Sequence, residues 1–229
     1  NQIVQSQYDS NFVLKYIICD NHNVDSVKNL IRKARENARG SQDKITKELW
    51  EHINSLYHYT NSPELPKKLE TYEALGVITK LKKDLLLYNG ILHVTMPRGL
   101  GWCFSSIGKN IERCLQTIAM TQSYYKPIDY NLDGEEDLLY WRRLLLSLSG
   151  YEQYLKSYSN ISHNRKIAQH VVFNKDFSHS VMYTLELIDK YLANLSLDHT
   201  SHEARTLQNQ FGRLKSMVKY TDYYNLTNQ

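Results

Sequence analysis

Apolar residues recur along this chain in steps of three and four, the spacing that gathers them on one face of an α-helix. Val27, Leu30, Ile31, Ala34 and Ala38 form the first clear stripe, with Asp25 or Ser26 as N-cap and Gly40 as the stop. Ser41 is the expected cap of a second helix, whose stripe is Ile45, Leu49, Ile53 and Leu56. A third and longest helix is expected after Pro66, running through Leu69, Tyr72 and Leu81 toward Leu85. Pro97, Gly99 and Gly101 interrupt the pattern, and another stripe follows at Phe104, Ile107, Gly108, Ile111, Cys114, Leu115 and Ile118. Lys126 to Gly134 reads as a loop, with Pro127 and Asp133-Gly134 as turn signals. Leu138, Trp141, Leu145 and Leu148 mark a further helix that ends near Gly150. Val181, Leu185, Ile188, Leu192 and Leu195 make one late stripe, and Ala204, Leu207, Phe211, Leu214 and Val218 make another. No segment of similar length alternates with period two. The expected fold is therefore all-α: a multi-helix bundle of roughly seven to nine helices, one domain over residues 1–229.

Residues 13–30 echo residues 167–184. Apolar positions 13, 17, 18 and 19 align with 167, 171, 172 and 173, and Ser26-Val27 aligns with Ser180-Val181. Each copy reads as a short helix, a polar corner and a capped longer helix, so a pseudo-symmetric pair of helical lobes is expected.

Composition narrows the function classes. Only 9 Gly and 4 Pro punctuate 229 residues, which favours long helices. The net charge of +4 comes from 28 Lys and Arg mixed among 24 acids, without the basic stripe that nucleic acid requires. Cys19, Cys103 and Cys114 have no metal or redox spacing, and on one helix Cys103 and Cys114 stand about 16 Å apart, too far for a disulfide. A reducing, cytoplasmic setting is expected. No apolar run approaches the roughly 20 residues of a membrane span, and no secretory leader is visible. The chain opens at Asn1 rather than Met, so a native N-terminal segment is expected to lie outside it.

Charges set into amphipathic helices carry the candidate chemistry. Arg35 and Arg39 are one turn apart with Glu36 between them, and two guanidinium forks on one face suit a carboxylate or a phosphate. Lys109, Glu112 and Arg113 sit at the edge of the stripe that holds Ile107 and Ile111. The alternative for these residues is interhelical ion pairing, for instance with Glu48 or Glu112, which would fix helix partners and make loss of Glu112 costly. Trp102 follows Gly99 and Gly101, where free backbone N–H groups at a helix start could meet an anion, or an indole could anchor a corner.

Other site classes are not expected. The third Gly of a dinucleotide fingerprint is absent, since position 104 is Phe, and Gly108-Lys109-Asn110 lacks the Ser or Thr of a P-loop. No Glu-x-x-His motif of a di-iron bundle occurs, and His199, His202 and Glu203 are the only compact metal candidates, in a polar connection. No metal and no cofactor are therefore expected. The 18 tyrosines are read as packing at helix edges.

Taken together, Ser26 to Tyr57 with Ala34-Arg-Glu-Asn-Ala-Arg39 and Glu48-Leu-Trp50, then Gly101-Trp102, Gly108 and Ile111-Glu-Arg113, and finally Asp176-Phe-Ser-His-Ser-Val181, resemble the alpha-E family. These are bacterial all-helical proteins with a Glu-Arg motif and no established activity. The chain departs from the family at Gly99 and Leu100, where acids are usual, at Lys109, where Arg is usual, and at Cys114 and Leu115. The family's additional N-terminal helical segment has no match in residues 1–25. Such proteins are encoded beside ATP-grasp-type ligases and transglutaminase-like proteases, so the resemblance implies a binding or scaffold component of a peptide or isopeptide ligase system with those partners. The alternative is an enzyme of amide chemistry that uses Glu36 or Glu112 as acid/base, with Arg35, Arg39 and Arg113 holding an anionic substrate.

Overall fold

The computed structural model describes residues 10–134, 136–158, 163–198 and 202–222, and among these residues it contains helices and no strand. The chain divides into two compact units, residues 1–101 and 102–229. Eleven α-helices are present among the described residues, more than the expected seven to nine, because short helices fill connections that carry no stripe of their own.

The first unit holds α1 (Ser10–Ile18), α2 (Val27–Gly40), α3 (Lys47–Thr60), α4 (Leu65–Lys68) and α5 (Ala74–Thr95). Ser26 caps α2 by accepting from the Asn29 amide at 3.3 Å. The cap of α3 is Thr46, which accepts from the Leu49 amide, whereas Ser41 opens a single 3-10 turn and accepts no capping bond. The helix expected from Pro66 is broken after Lys68. The Thr71 hydroxyl donates to the Lys68 carbonyl at 3.0 Å and accepts from the Glu73 amide at 3.2 Å, a local bonding scheme that competes with helix continuation. Ile18, Leu65, Leu69, Val77 and Leu81 form one core cluster, and Leu49, Ile53 and Leu56 are buried along α3. Thr46 meets Thr95 at 2.8 Å, and His52 Nε2 lies 2.8 Å from the Asp84 carbonyl, so α3 and α5 are tied at two levels.

The second unit is built on α6 (Leu100–Tyr125), which begins at the boundary and is the longest helix among the described residues, followed by α7 (Leu138–Ser147), α8 (Tyr151–Ser157) and α9 (His163–Ala168). A π-helical segment, Gln169–Phe173, extends α9 and leads through a corner to α10 (Val181–Asp198) and then α11 (His202–Lys219). The core gathers Tyr125, Trp141, Leu144, Leu145, Leu148, Tyr154, Ile167, Val171 and Phe177. Asn164 is its polar centre. Its Oδ1 accepts from Trp141 Nε1 at 2.9 Å, its Nδ2 donates to the Asn131 carbonyl at 2.8 Å and to Glu136, and its own carbonyl accepts from the Tyr125 hydroxyl at 2.5 Å. A fully satisfied buried amide of this kind fixes one packing arrangement among several that apolar contact alone would allow. No described helix is long and apolar enough to cross a membrane.

Candidate functional site

Along α6 the buried side is not the apolar stripe. Cys103, Ser106, Asn110, Cys114 and Thr117 are buried, whereas Phe104 is 64% exposed, Leu115 57% and Ile111 44%. The reason lies in what α6 meets: the Thr117 hydroxyl donates to the His179 carbonyl at 2.9 Å, and Arg113 Nη1 donates to the Ser178 carbonyl at 3.4 Å. Small donors bring the helix close to the backbone of the 174–180 corner, where bulky aliphatic groups would hold it away. Asn110 donates to the Ser106 carbonyl at 2.8 Å, and its buried Oδ1 has no hydrogen-bond partner among the described residues.

The corner itself is built by side chains. Asn174 Oδ1 accepts from the amides of Asp176 at 2.8 Å and Phe177 at 3.2 Å, and Ser180 caps α10 by accepting from the Tyr183 amide at 3.0 Å. The first unit repeats the scheme at the positions the sequence echo aligns. Asp20 Oδ1 accepts from the amides of His22 at 2.6 Å and Asn23 at 3.3 Å, and Ser26 caps α2. In each unit the corner joins a short helix to a longer one, α1 to α2 in the first and α9 with its π-helical extension to α10 in the second.

Behind the second corner is a fully buried His170. Its ring stacks on Phe177 at 4.5 Å and meets Tyr154 and Tyr158 edge-on, each at 5.6 Å. Asn174 Nδ2 lies 3.2 Å from Nδ1; because Asn174 Oδ1 is taken by backbone amides, the carboxamide N–H donates and the ring proton sits on Nε2. That Nε2 has no hydrogen-bond partner among the described residues, and burial pushes the pKa of His170 down to about 4. The imidazole is neutral here, a packing group with one unanswered N–H. Sequence reasoning missed it, although a histidine between Ile167 and Val171 in an apolar phase was the available signal.

Two cations and a neutral imidazole meet where α6 packs on the corner. Lys109 and Arg113 are one turn apart, and His179 is half-buried in the segment that Arg113 and Thr117 hold. Burial and then the Arg113 guanidinium lower the pKa of Lys109, and the same two causes lower that of His179. Among the described residues no carboxylate lies within ion-pair distance of Lys109 or Arg113. Glu112 is exposed and accepts from Gln116 Nε2 at 2.8 Å. The expected buried pairing of Glu112 is therefore corrected: it points away from the core, one residue round the helix from Arg113. Trp102 is buried in the first turn of α6, which begins at Leu100.

In the first unit Arg35 is held by α3. Its Nε donates to Asn54 Oδ1 at 2.6 Å, and its guanidinium lies 4.4 Å from the centre of the Tyr57 ring and 5.8 Å from that of Trp50. Asn54 is aimed by its own bond to the Trp50 carbonyl at 3.1 Å. Arg35 also pairs with Glu36 at 3.2 Å, while Glu48 and Arg39 are exposed and Arg39 has no ion pair among the described residues. The interhelical partners of Arg35 are thus an amide and two aromatic faces, in place of the expected Glu48. Arg35, Glu36 and Arg39 belong to one unit, and Trp102, Lys109, Glu112 and Arg113 to the other. His199 lies outside the described residues, among which no group of three His, Cys, Asp or Glu is arranged to hold a metal ion.

No curated protein and no solved structure matches this chain. One family does: Alpha-E, described as a predicted alpha-helical domain with a conserved ER motif, matches residues 2–229. The chain's Glu-Arg dipeptide is Glu112-Arg113, on the helix that carries the cation cluster. With that match spanning essentially the whole sequence, the chain belongs to the Alpha-E family.

Proposed function

We propose that this chain is a binding component of a peptide or isopeptide ligase system in the bacterial cytoplasm, and that Lys109, Arg113 and His179 receive a carboxylate of a peptide. The observation that carries this reading is that Lys109 and Arg113 stand one turn apart beside the neutral His179 ring, with no carboxylate paired to either cation among the described residues. Like charges held together raise each other's free energy, and a bound anion relieves that repulsion. Arg113 offers a planar fork for a carboxylate, and Lys109 adds a mobile point charge. The proposed partners are an ATP-grasp-type ligase, which activates carboxylates, and a transglutaminase-like protease, which acts on amide links. Both acids that amide chemistry would use are poorly placed for it: Glu36 is taken by Arg35, and Glu112 is exposed to water.

The partner is tested by a photo-crosslinking residue at exposed Gln116, one turn from Glu112, in cells that make the chain natively. Mass spectrometry of the captured protein is expected to return an ATP-grasp-type ligase or a transglutaminase-like protease, with capture reduced by Arg113→Gln. Capture of neither class overturns the ligase-system reading.

A further inference from the structure

A cavity of about 380 Å³ opens against the C-terminal end of α6, walled by the rings of Tyr125, Tyr130 and Phe173 together with Leu132, Ala168 and Val172. Its size falls in the range of small-ligand sites, roughly 300–1,000 Å³. Thr121, Gln122 and the two tyrosines are its polar residues, the Tyr125 hydroxyl already donating to the Asn164 carbonyl, and no Asp, Glu, Lys, Arg or His contributes to the lining. A charged ligand would lose its hydration there without gaining a counter-ion, so the site selects a neutral one. Three aromatic walls favour a flat ring, which fills the space edge-on or offset against them.

Two unusual backbone features build the walls. Asp129 and Tyr130 are consecutive non-glycine residues in the left-handed region, with φ of 51° and 56°. They are locked by bonds from the Asp129 amide to the Lys126 carbonyl at 3.1 Å and from the Tyr130 amide to the Tyr125 carbonyl at 2.9 Å. A tyrosine held in this conformation is strained, and such strain gathers at ligand sites. On the other side, Val172 and Phe173 belong to the π-helical segment, a departure from the α-helix that is also common at functional sites. Thr121 already donates to the Thr117 carbonyl at 2.7 Å, so toward a ligand its hydroxyl can only accept. Gln122 has no hydrogen-bond partner among the described residues and can both donate and accept.

We propose that this cavity binds a neutral monocyclic aromatic ring bearing one hydroxyl, with the hydroxyl donating to Thr121 or Gln122. The site is independent of the cation cluster and of the ligase reading. The shared chemistry, a phenol, can come from a free small molecule or from a tyrosine side chain in a peptide. The test is a titration of the whole chain, followed by amide NMR shifts at Val172 and Phe173, with p-cresol, benzoate, benzylamine, toluene and acetyl-Ala-Tyr-Ala-amide. Expected is saturable binding of p-cresol at millimolar or lower concentration, with benzoate and benzylamine weaker by about tenfold or more. Gln122→Ala, at an exposed position, is expected to weaken p-cresol severalfold and leave toluene unchanged; Ala168→Met is expected to abolish both by filling the cavity. Peptide binding equal to that of p-cresol assigns the tyrosine source, and weaker peptide binding assigns the free phenol. No saturable shift with p-cresol, or equal affinity for benzoate, overturns the proposal.

Discussion

Replacing His170 with phenylalanine is expected to flatten the acid limb of the chain's stability curve. In the native state burial holds the His170 pKa at about 4, against an unfolded value of 6.5. Between those values the unfolded chain takes up a proton that the native ring refuses, so stability is lost as pH falls through this window and is constant above it. A displacement of this size corresponds to about 3 kcal/mol at most, accumulated from pH 6.5 down to 4. Phenylalanine keeps the stacking on Phe177 and removes both the titration and the unanswered Nε2–H, while releasing only the half-buried Asn174 amide. His170→Phe should therefore lie within about 1 kcal/mol of wild type at neutral pH and gain on it by about 3 kcal/mol at pH 4. Urea denaturation of both proteins across this pH range, followed by tryptophan fluorescence, makes the comparison. Other titrating groups, including His179, are common to both proteins and cancel. Parallel curves would refute the claim that His170 is a buried neutral ring.

Gly150 is expected to reject even a methyl group: a Cβ there would sit 2.6 Å and 2.9 Å from Phe177 ring atoms, so Gly150→Ala should cost about 1–3 kcal/mol in chemical denaturation. Asn164→Leu leaves the Trp141 indole N–H buried without its acceptor and should cost about 1–3 kcal/mol for that group alone, with a shift in tryptophan emission as the second readout. Glu112→Ala should change stability by no more than about 0.5 kcal/mol in thermal melts, because the carboxylate is exposed and bonded only to Gln116.

The helices were legible because their stripes are long: α2, α7, α10 and α11 lie where periodicity and caps put them. The failures share a physical cause. The break after Lys68 depends on a threonine hydroxyl competing for backbone bonds, and nothing in the spacing of Leu69, Tyr72 and Leu81 reports that competition. On α6 hydrophobicity pointed to Phe104, Ile111 and Leu115 as the inner face, yet the neighbouring element presents carbonyl groups, and small donors such as Thr117 are selected in their place. The charged residues of the site were found by their oddity in an amphipathic pattern, and the positions of Lys109 and Arg113 one turn apart follow from helix geometry alone. The uncharged third member of the site, His179, was quoted only within a motif, and its role depends on a corner that brings residues 65 positions apart into contact. Asn164 and His170 gave little notice because a buried polar residue reads as a surface residue until its partners are known.

The central claim, that Lys109, Arg113 and His179 receive a peptide carboxylate, is tested most directly by calorimetric titration of acetyl-tetraglutamate into the whole chain. Saturable binding that weakens with added salt, and by about tenfold or more in Arg113→Gln with its fold intact by circular dichroism, is the predicted result. Absence of saturable heat, or an affinity unchanged by Arg113→Gln, would contradict it.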